Sequence, residues 1–115
     1  MLIEKIKREH VEEIGCKGGN GKLSLDMLYS GAKLPSNVKV FAKATLVPGD
    51  SIGYHTHTGE SETYFILSGC GTYNDNGKTF PVKAGDVTVT YSGEGHSIEN
   101  TGNSDLEFIA LIIFD

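Results

Sequence analysis

The chain has no tryptophan, only three prolines and two cysteines among 115 residues, and no apolar run longer than Phe108–Phe114. A run of that length suits a buried strand and is too short to cross a bilayer, so no membrane partner is expected. The cysteines, Cys16 and Cys70, lie far apart and form no CxxC pair. This excludes a disulfide framework and predicts two reduced thiols. Basic residues are in the minority, ten Lys and Arg against fifteen Asp and Glu, for a net charge of −5 at pH 7. With a pI near 5.3 and one tight basic cluster, Lys5-Ile6-Lys7-Arg8, read as a solvated face, no nucleic-acid partner is expected. The N-terminus, Met1-Leu2-Ile3-Glu4, has no signal-type apolar stretch or cleavage site, which predicts a cytoplasmic location.

What is abundant is glycine, fifteen residues, with 38% apolar content. Together they read as one turn-rich domain spanning residues 1–115. Residues 1–20 form an N-terminal arm that reads two ways: Leu2, Glu4 and Ile6 hint at alternation, while Val11 and Ile14, three apart and followed by Gly15, hint at one or two helical turns with a glycine cap. From Gly18 onward the pattern is strand and turn. Val40, Ala42, Ala44 and Leu46 lie on one face of a strand that ends at Pro48-Gly49. Asn76-Gly77 is the strongest hairpin signal. Leu106–Phe114 is apolar on both faces and predicts a central strand covered on both sides. Many short strands with frequent turns indicate an all-β sandwich or barrel.

His55 and His57 are separated by one residue and followed five positions later by Glu62. Alternation along an extended strand puts both imidazoles on one side. Imidazole nitrogen with carboxylate oxygen suits Zn, Fe, Mn, Ni or Cu better than Ca or Mg. His96 stands further along in its own glycine-rich context.

Gly49, His55, His57, Glu62 and Gly69, at these spacings, match the first signature of the cupin superfamily, over residues 49–69. Gly85, Gly93, His96 and Asn100 resemble the second, over residues 85–100, with Tyr91 standing where that signature usually carries proline. The resemblance implies a small jelly-roll β-barrel holding one divalent metal (Zn, Fe, Mn or Ni). Carried over by position, the ligands are His55, His57, Glu62 and His96. It also implies a homodimer.

By strand parity from Glu62, Tyr64, Ile66 and Ser68 share its face and line the interior. Tyr64 and Tyr91, the latter expected near the pocket mouth, are the candidate catalytic residues. Glu60 and Ser61 are expected as solvated loop residues and His10 as a surface residue. Lys43 is expected on the polar side of its strand, exposed or facing the cavity, and Asn100 as a strand-end anchor. Three functions compete. A small metalloenzyme would act on a polar, sugar-like or carboxylate metabolite by isomerase, lyase or decarboxylase chemistry, or as a dioxygenase with Fe. A non-catalytic module would bind or sense a metabolite. A structural protein would use the metal only as a staple.

Overall fold

Alternating apolar and polar residues organise this chain into ten strands, which the computed structural model describes over residues 1–115. They are β1 (Glu9–Ile14), β2 (Lys22–Met27), β3 (Val38–Leu46), β4 (Ser51–Thr56), β5 (Glu60–Ser68), β6 (Cys70–Asp75), β7 (Lys78–Lys83), β8 (Val87–Thr90), β9 (Gly95–Glu99) and β10 (Leu106–Phe114). A six-stranded sheet runs β1-β2-β3-β10-β5-β8, and a four-stranded sheet runs β4-β9-β6-β7. Every ladder is antiparallel. The two sheets face each other as a jelly roll, but no backbone ladder joins them. The β-barrel expected from the sequence is therefore not closed.

The core lies between the sheets. Ala44, Leu46, Tyr64, Ile66, Leu106, Phe108 and Ala110 come from the larger sheet and Ile52, Tyr73, Val82 and Ile98 from the smaller. The predicted hairpin joins β6 to β7, with Asn76 and Gly77 at φ 53° and 96°, the pair of positive values that a type I′ turn requires. Asn100 is the expected anchor. Its buried amide donates to the carbonyls of Leu46 and Ser104, both at 2.8 Å.

β10 is central, between β3 and β5, but only one of its faces is covered. On the inner face Leu106, Phe108 and Ala110 are buried, while on the outer face Ile113 is exposed and Ile109 and Leu111 are half-buried. Phe65, Leu67, Val87 and Val89 extend this outer apolar face across β5 and β8. Nothing in the chain packs over it, because its helical segments are three-residue 3₁₀ turns. No helix is long and apolar enough to cross a membrane.

The N-terminal expectation needs correction. The helical turn falls at Lys5–Lys7, and Val11 and Ile14 lie in β1, opposite Leu25 and Lys22 of β2. Edge pairing with β2 satisfies the backbone groups on one side of this segment. Gly15, at φ 64°, turns the chain into the 3₁₀ turn Cys16–Gly18. A Cβ on Gly19 would meet the carbonyl of Ser51, and one on Gly53 would meet that of Lys17. Glycine at both points lets the turn lie flat on β4. Hydrogen bonds from Ser51 N to Asn20 O (3.0 Å) and from Asn20 N to Ser51 Oγ (2.9 Å) hold it there.

Three bulges interrupt the strand parity. On β5 the register slips at Leu67, so that Ser68 pairs with Glu107. Ser68 is therefore turned away from the interior expected for it and donates to Glu107 Oε1 at 3.1 Å. On β3, Val40 opposes Ile112 and Val38 opposes Ile113, which leaves Lys39 as the extra residue. On β4, Gly53 and Tyr54 together oppose Ser97.

Candidate metal centre

The β4 bulge allows both Ile52 and His55 to face the interior, opposite Ile98 and His96 of β9. His57 follows β4 directly, and Glu62 enters from β5 of the opposing sheet. The four side chains converge. Nε2 of His96 lies 3.1 Å from that of His57 and 3.2 Å from that of His55. Glu62 Oε1 lies 3.0 Å from His96 Nε2, 3.1 Å from His57 Nε2 and 3.9 Å from His55 Nε2.

Each imidazole is oriented through its other nitrogen. His55 Nδ1 donates to the Gly53 carbonyl at 2.8 Å, and His57 Nδ1 donates to Glu60 Oε2 at 2.8 Å. His96 Nδ1 lies 2.7 Å from the Tyr73 hydroxyl and 2.8 Å from Thr90 Oγ1. With the Nδ1 protons of His55 and His57 committed outward, their Nε2 lone pairs point inward. Lone pairs so close together need a cation or shared protons between them. Burial pushes the Glu62 carboxyl up, but His55 and His96 outweigh it by hydrogen bonding, and the carboxyl is held down at about 2. Burial also lowers His96, against the pull of Glu62. An ionised carboxylate and neutral imidazoles are the species that ligate metal. All four donor atoms lie within 4.8 Å of one another, and the cluster could hold a metal ion.

The cluster borders a cavity of about 300 Å³. Phe108 and Ile112 are part of its apolar wall, and Glu13, Cys16, Lys17, Lys39 and Glu60 are among its polar residues. Tyr64 lines it too, with its ring stacked on His96 at 5.1 Å between centroids. Burial, and then the Glu62 charge, raise its phenol well above the ordinary value. Tyr91 is 63% exposed in the turn after β8 and does not line this cavity. The pocket-mouth position expected for it is not what the structure shows. Its backbone N–H instead donates to Glu94 Oε1 at 2.8 Å.

Glu60, expected in solvent, is buried as the first residue of β5 and ion-paired with Lys39 at 2.8 Å. The available sequence signal was a carboxylate three residues after a ligand-type histidine. Lys43 takes the exposed alternative, pairing with Glu107 at 2.7 Å on the outer face. His10 is exposed on β1, away from the cluster. Both cysteines are free. Burial, followed by Glu13, pushes the Cys16 thiol up to about 12, so the thiol facing the cavity is neutral and a poor nucleophile.

The family model for the cupin domain matches residues 42–113. The chain belongs to the cupin family. An oxalate-binding protein of Thermotoga maritima is 53% identical over 97 residues, covering 84% of this chain and 80% of that protein. A crystal structure described as a predicted oxalate decarboxylase from Thermotoga maritima superposes with a TM-score of 0.93 at 45% identity, over the full length of both chains. An uncharacterised protein of Methanocaldococcus jannaschii is 32% identical over 111 residues, 95% of this chain and 85% of that one.

Proposed function

We propose that this cupin binds one divalent transition metal through His55, His57, Glu62 and His96 and uses it to capture a small carboxylate of the oxalate class. The observation that carries the reading is the convergence of three Nε2 atoms and Glu62 Oε1 at the edge of a cavity whose lining also includes Lys17 and Lys39. A bound Zn, Fe, Mn or Ni ion would supply Lewis acidity and coordination positions for ligand oxygens. Lys17 and Lys39 offset the charge of an anion entering the cavity. The apolar side chains of Phe108 and Ile112 lower the polarity of the wall, which strengthens both attractions. The names of the two Thermotoga relatives point to the same ligand class.

Binding is favoured over acid–base turnover by the state of the groups around the cavity. Tyr64 and Cys16 are held protonated by burial. Burial raises the Glu60 carboxyl, yet hydrogen bonds from Lys39 and His57 outweigh it and keep the group ionised. None of these three is moved toward neutrality, where a general acid or base works best.

A decarboxylase is the second reading, favoured by the description of the Thermotoga structure, with Tyr64 on the cavity wall. In that reaction a carbon–carbon bond breaks, carbon dioxide leaves, and the remaining carbanion takes up a proton. Tyr64 would be the donor.

Elemental analysis of protein purified without added metal, followed by calorimetric titration with oxalate, tests the proposal. Near-stoichiometric divalent metal and saturable oxalate binding, both lost in His57→Ala, are expected. Metal-loaded protein that does not bind oxalate would contradict the proposal. Steady release of carbon dioxide and formate would establish the second reading instead. The homodimer would use the uncovered outer face of the six-stranded sheet, where Phe65 and Leu67 stand exposed.

A further inference from the structure

Strand parity would send Lys39 outward with Phe41 and Lys43. The β3 bulge cancels it, because Lys39 is the residue left over between the Val38–Ile113 and Val40–Ile112 pairs. Bulges of this kind re-aim a side chain beside a site. Here the ammonium reaches the cavity and lies 2.8 Å from Glu60 Oε1. The other oxygen of the same carboxylate, Oε2, accepts from His57 Nδ1 at 2.8 Å. His57 Nε2 is one of the four converging donor atoms. A continuous polar line thus runs from a half-exposed cation at the cavity, through one buried carboxylate, to the far side of a metal-facing imidazole.

The other two histidines have no comparable arrangement. His55 is oriented by a neutral carbonyl and His96 by two neutral hydroxyls. Only His57 is backed by an anion, and only that anion is shared with a cation of the cavity wall. A carboxylate behind an imidazole fixes its tautomer and raises its basicity toward metal. An ammonium on that carboxylate draws charge away from the imidazole. An anion arriving in the cavity competes with Glu60 for the ammonium.

We propose that Glu60 is the positioning residue for His57 and that Lys39 is the receptor for the ligand's negative charge, the two linked so that engaging Lys39 strengthens the hold of His57 on the metal. The Lys39 half rests on the carboxylate reading above; the Glu60 half does not. The ligand class follows: a small anion that still presents negative oxygen toward the cavity wall when bound to metal, as a dicarboxylate does and a neutral sugar does not.

The test uses the full chain stripped of metal, with Mn²⁺ and oxalate as probes and Glu60→Gln and Lys39→Met as variants. Glutamine keeps an acceptor for His57 Nδ1 but removes the charge. Mn²⁺ affinity, read from the electron paramagnetic resonance of the free ion, is expected to fall about 10–100-fold in Glu60→Gln. Lys39 is half-exposed, so its replacement does not threaten folding. Lys39→Met is expected to bind Mn²⁺ several-fold more tightly than wild type, and an unchanged Mn²⁺ affinity overturns the link between Lys39 and His57. The same variant, loaded with Mn²⁺, is expected to bind oxalate about tenfold more weakly by calorimetry. These opposite signs are the signature, since a merely structural role would weaken both. Unchanged Mn²⁺ affinity in Glu60→Gln overturns the Glu60 half. Parallel losses of Mn²⁺ and oxalate in Lys39→Met, or unchanged oxalate affinity there, overturn the Lys39 half. Wild-type protein that binds Mn²⁺ but not oxalate overturns the carboxylate reading and the Lys39 half together, leaving Glu60 to be judged by Mn²⁺ alone.

Discussion

The Tyr73 hydroxyl and His96 Nδ1 lie 2.7 Å apart in the interior, and Thr90 Oγ1 closes the triangle at 2.8 Å from each. Tyr73 comes from the four-stranded sheet and Thr90 from the six-stranded one, so the triangle seats His96 against both layers. Tyr73→Phe keeps the ring and removes one vertex. The metal-free variant is expected to lose about 1 kcal/mol, the ordinary net value of such a bond. Mn²⁺ affinity should fall by less than in Glu60→Gln, because Thr90 still faces Nδ1. Urea denaturation and metal titration check the two effects. A denaturation midpoint equal to wild type would mean that Thr90 alone suffices.

Metal should bind the folded chain far better than the unfolded one, since the four donors come together only in the fold. Free metal at a hundredfold excess over its dissociation constant is expected to stabilise by about 2.7 kcal/mol. For a domain of this size that raises the melting temperature by roughly 10 °C. His57→Ala should abolish the increment. Scanning calorimetry with and without Mn²⁺ measures it, and an equal increment in the variant would place the metal elsewhere.

Acid should weaken the metal-free protein in two windows. Burial depresses His96 below its ordinary 6.5. The unfolded chain then binds the proton more readily, and stability falls as pH drops below 6.5. Glu62, held at about 2 against an ordinary 4.5, contributes stability that is complete above 4.5 and lost as pH falls toward about 2. Denaturation midpoints recorded across this range should decline in both windows, and Glu62→Gln should flatten the lower one. A level profile between 6.5 and 4.5 in wild type would contradict the role assigned to His96.

The outer face of the larger sheet carries Phe65 and Leu67 on β5, Val87 and Val89 on β8, and Ile113 on β10, all exposed. A second copy covering this face would bury apolar side chains that the chain itself leaves open. Sedimentation is expected to show a dimer that Phe65→Lys with Leu67→Lys converts to a monomer without loss of Mn²⁺ binding. A monomeric wild type would rule out the dimer.

His55, His57 and Glu62 were legible because their information is local: two imidazoles on neighbouring like-facing positions, a glutamate close behind, and glycines at fixed intervals. The alternation of β3 and the Asn76-Gly77 turn were legible for the same reason. His96, far along the chain, was reached through the resemblance to the second cupin signature. The bulges were not. One extra residue leaves little trace in composition, yet it reverses every facing beyond it. Parity therefore put Ser68 inside and directed attention to Lys43, while the lysine of β3 that lines the cavity is Lys39. Tyr73 and Glu60 were missed as partners of His96 and His57 because tertiary approach, not spacing, brings them there. At the N-terminus, Val11 and Ile14 fit a helical spacing as well as a strand, and two residues cannot discriminate. Pairing with β2 decided the matter.

The candidate centre draws Glu62 from one sheet and His55 and His96 from the other, and these sheets share no backbone ladder. An ion held by all four would fix the separation of the layers at that point, in the manner of a spacer between two plates. The same layers form the cavity walls. Such an ion would supply at the cavity edge a direct tie between layers that otherwise meet there through side-chain contacts alone.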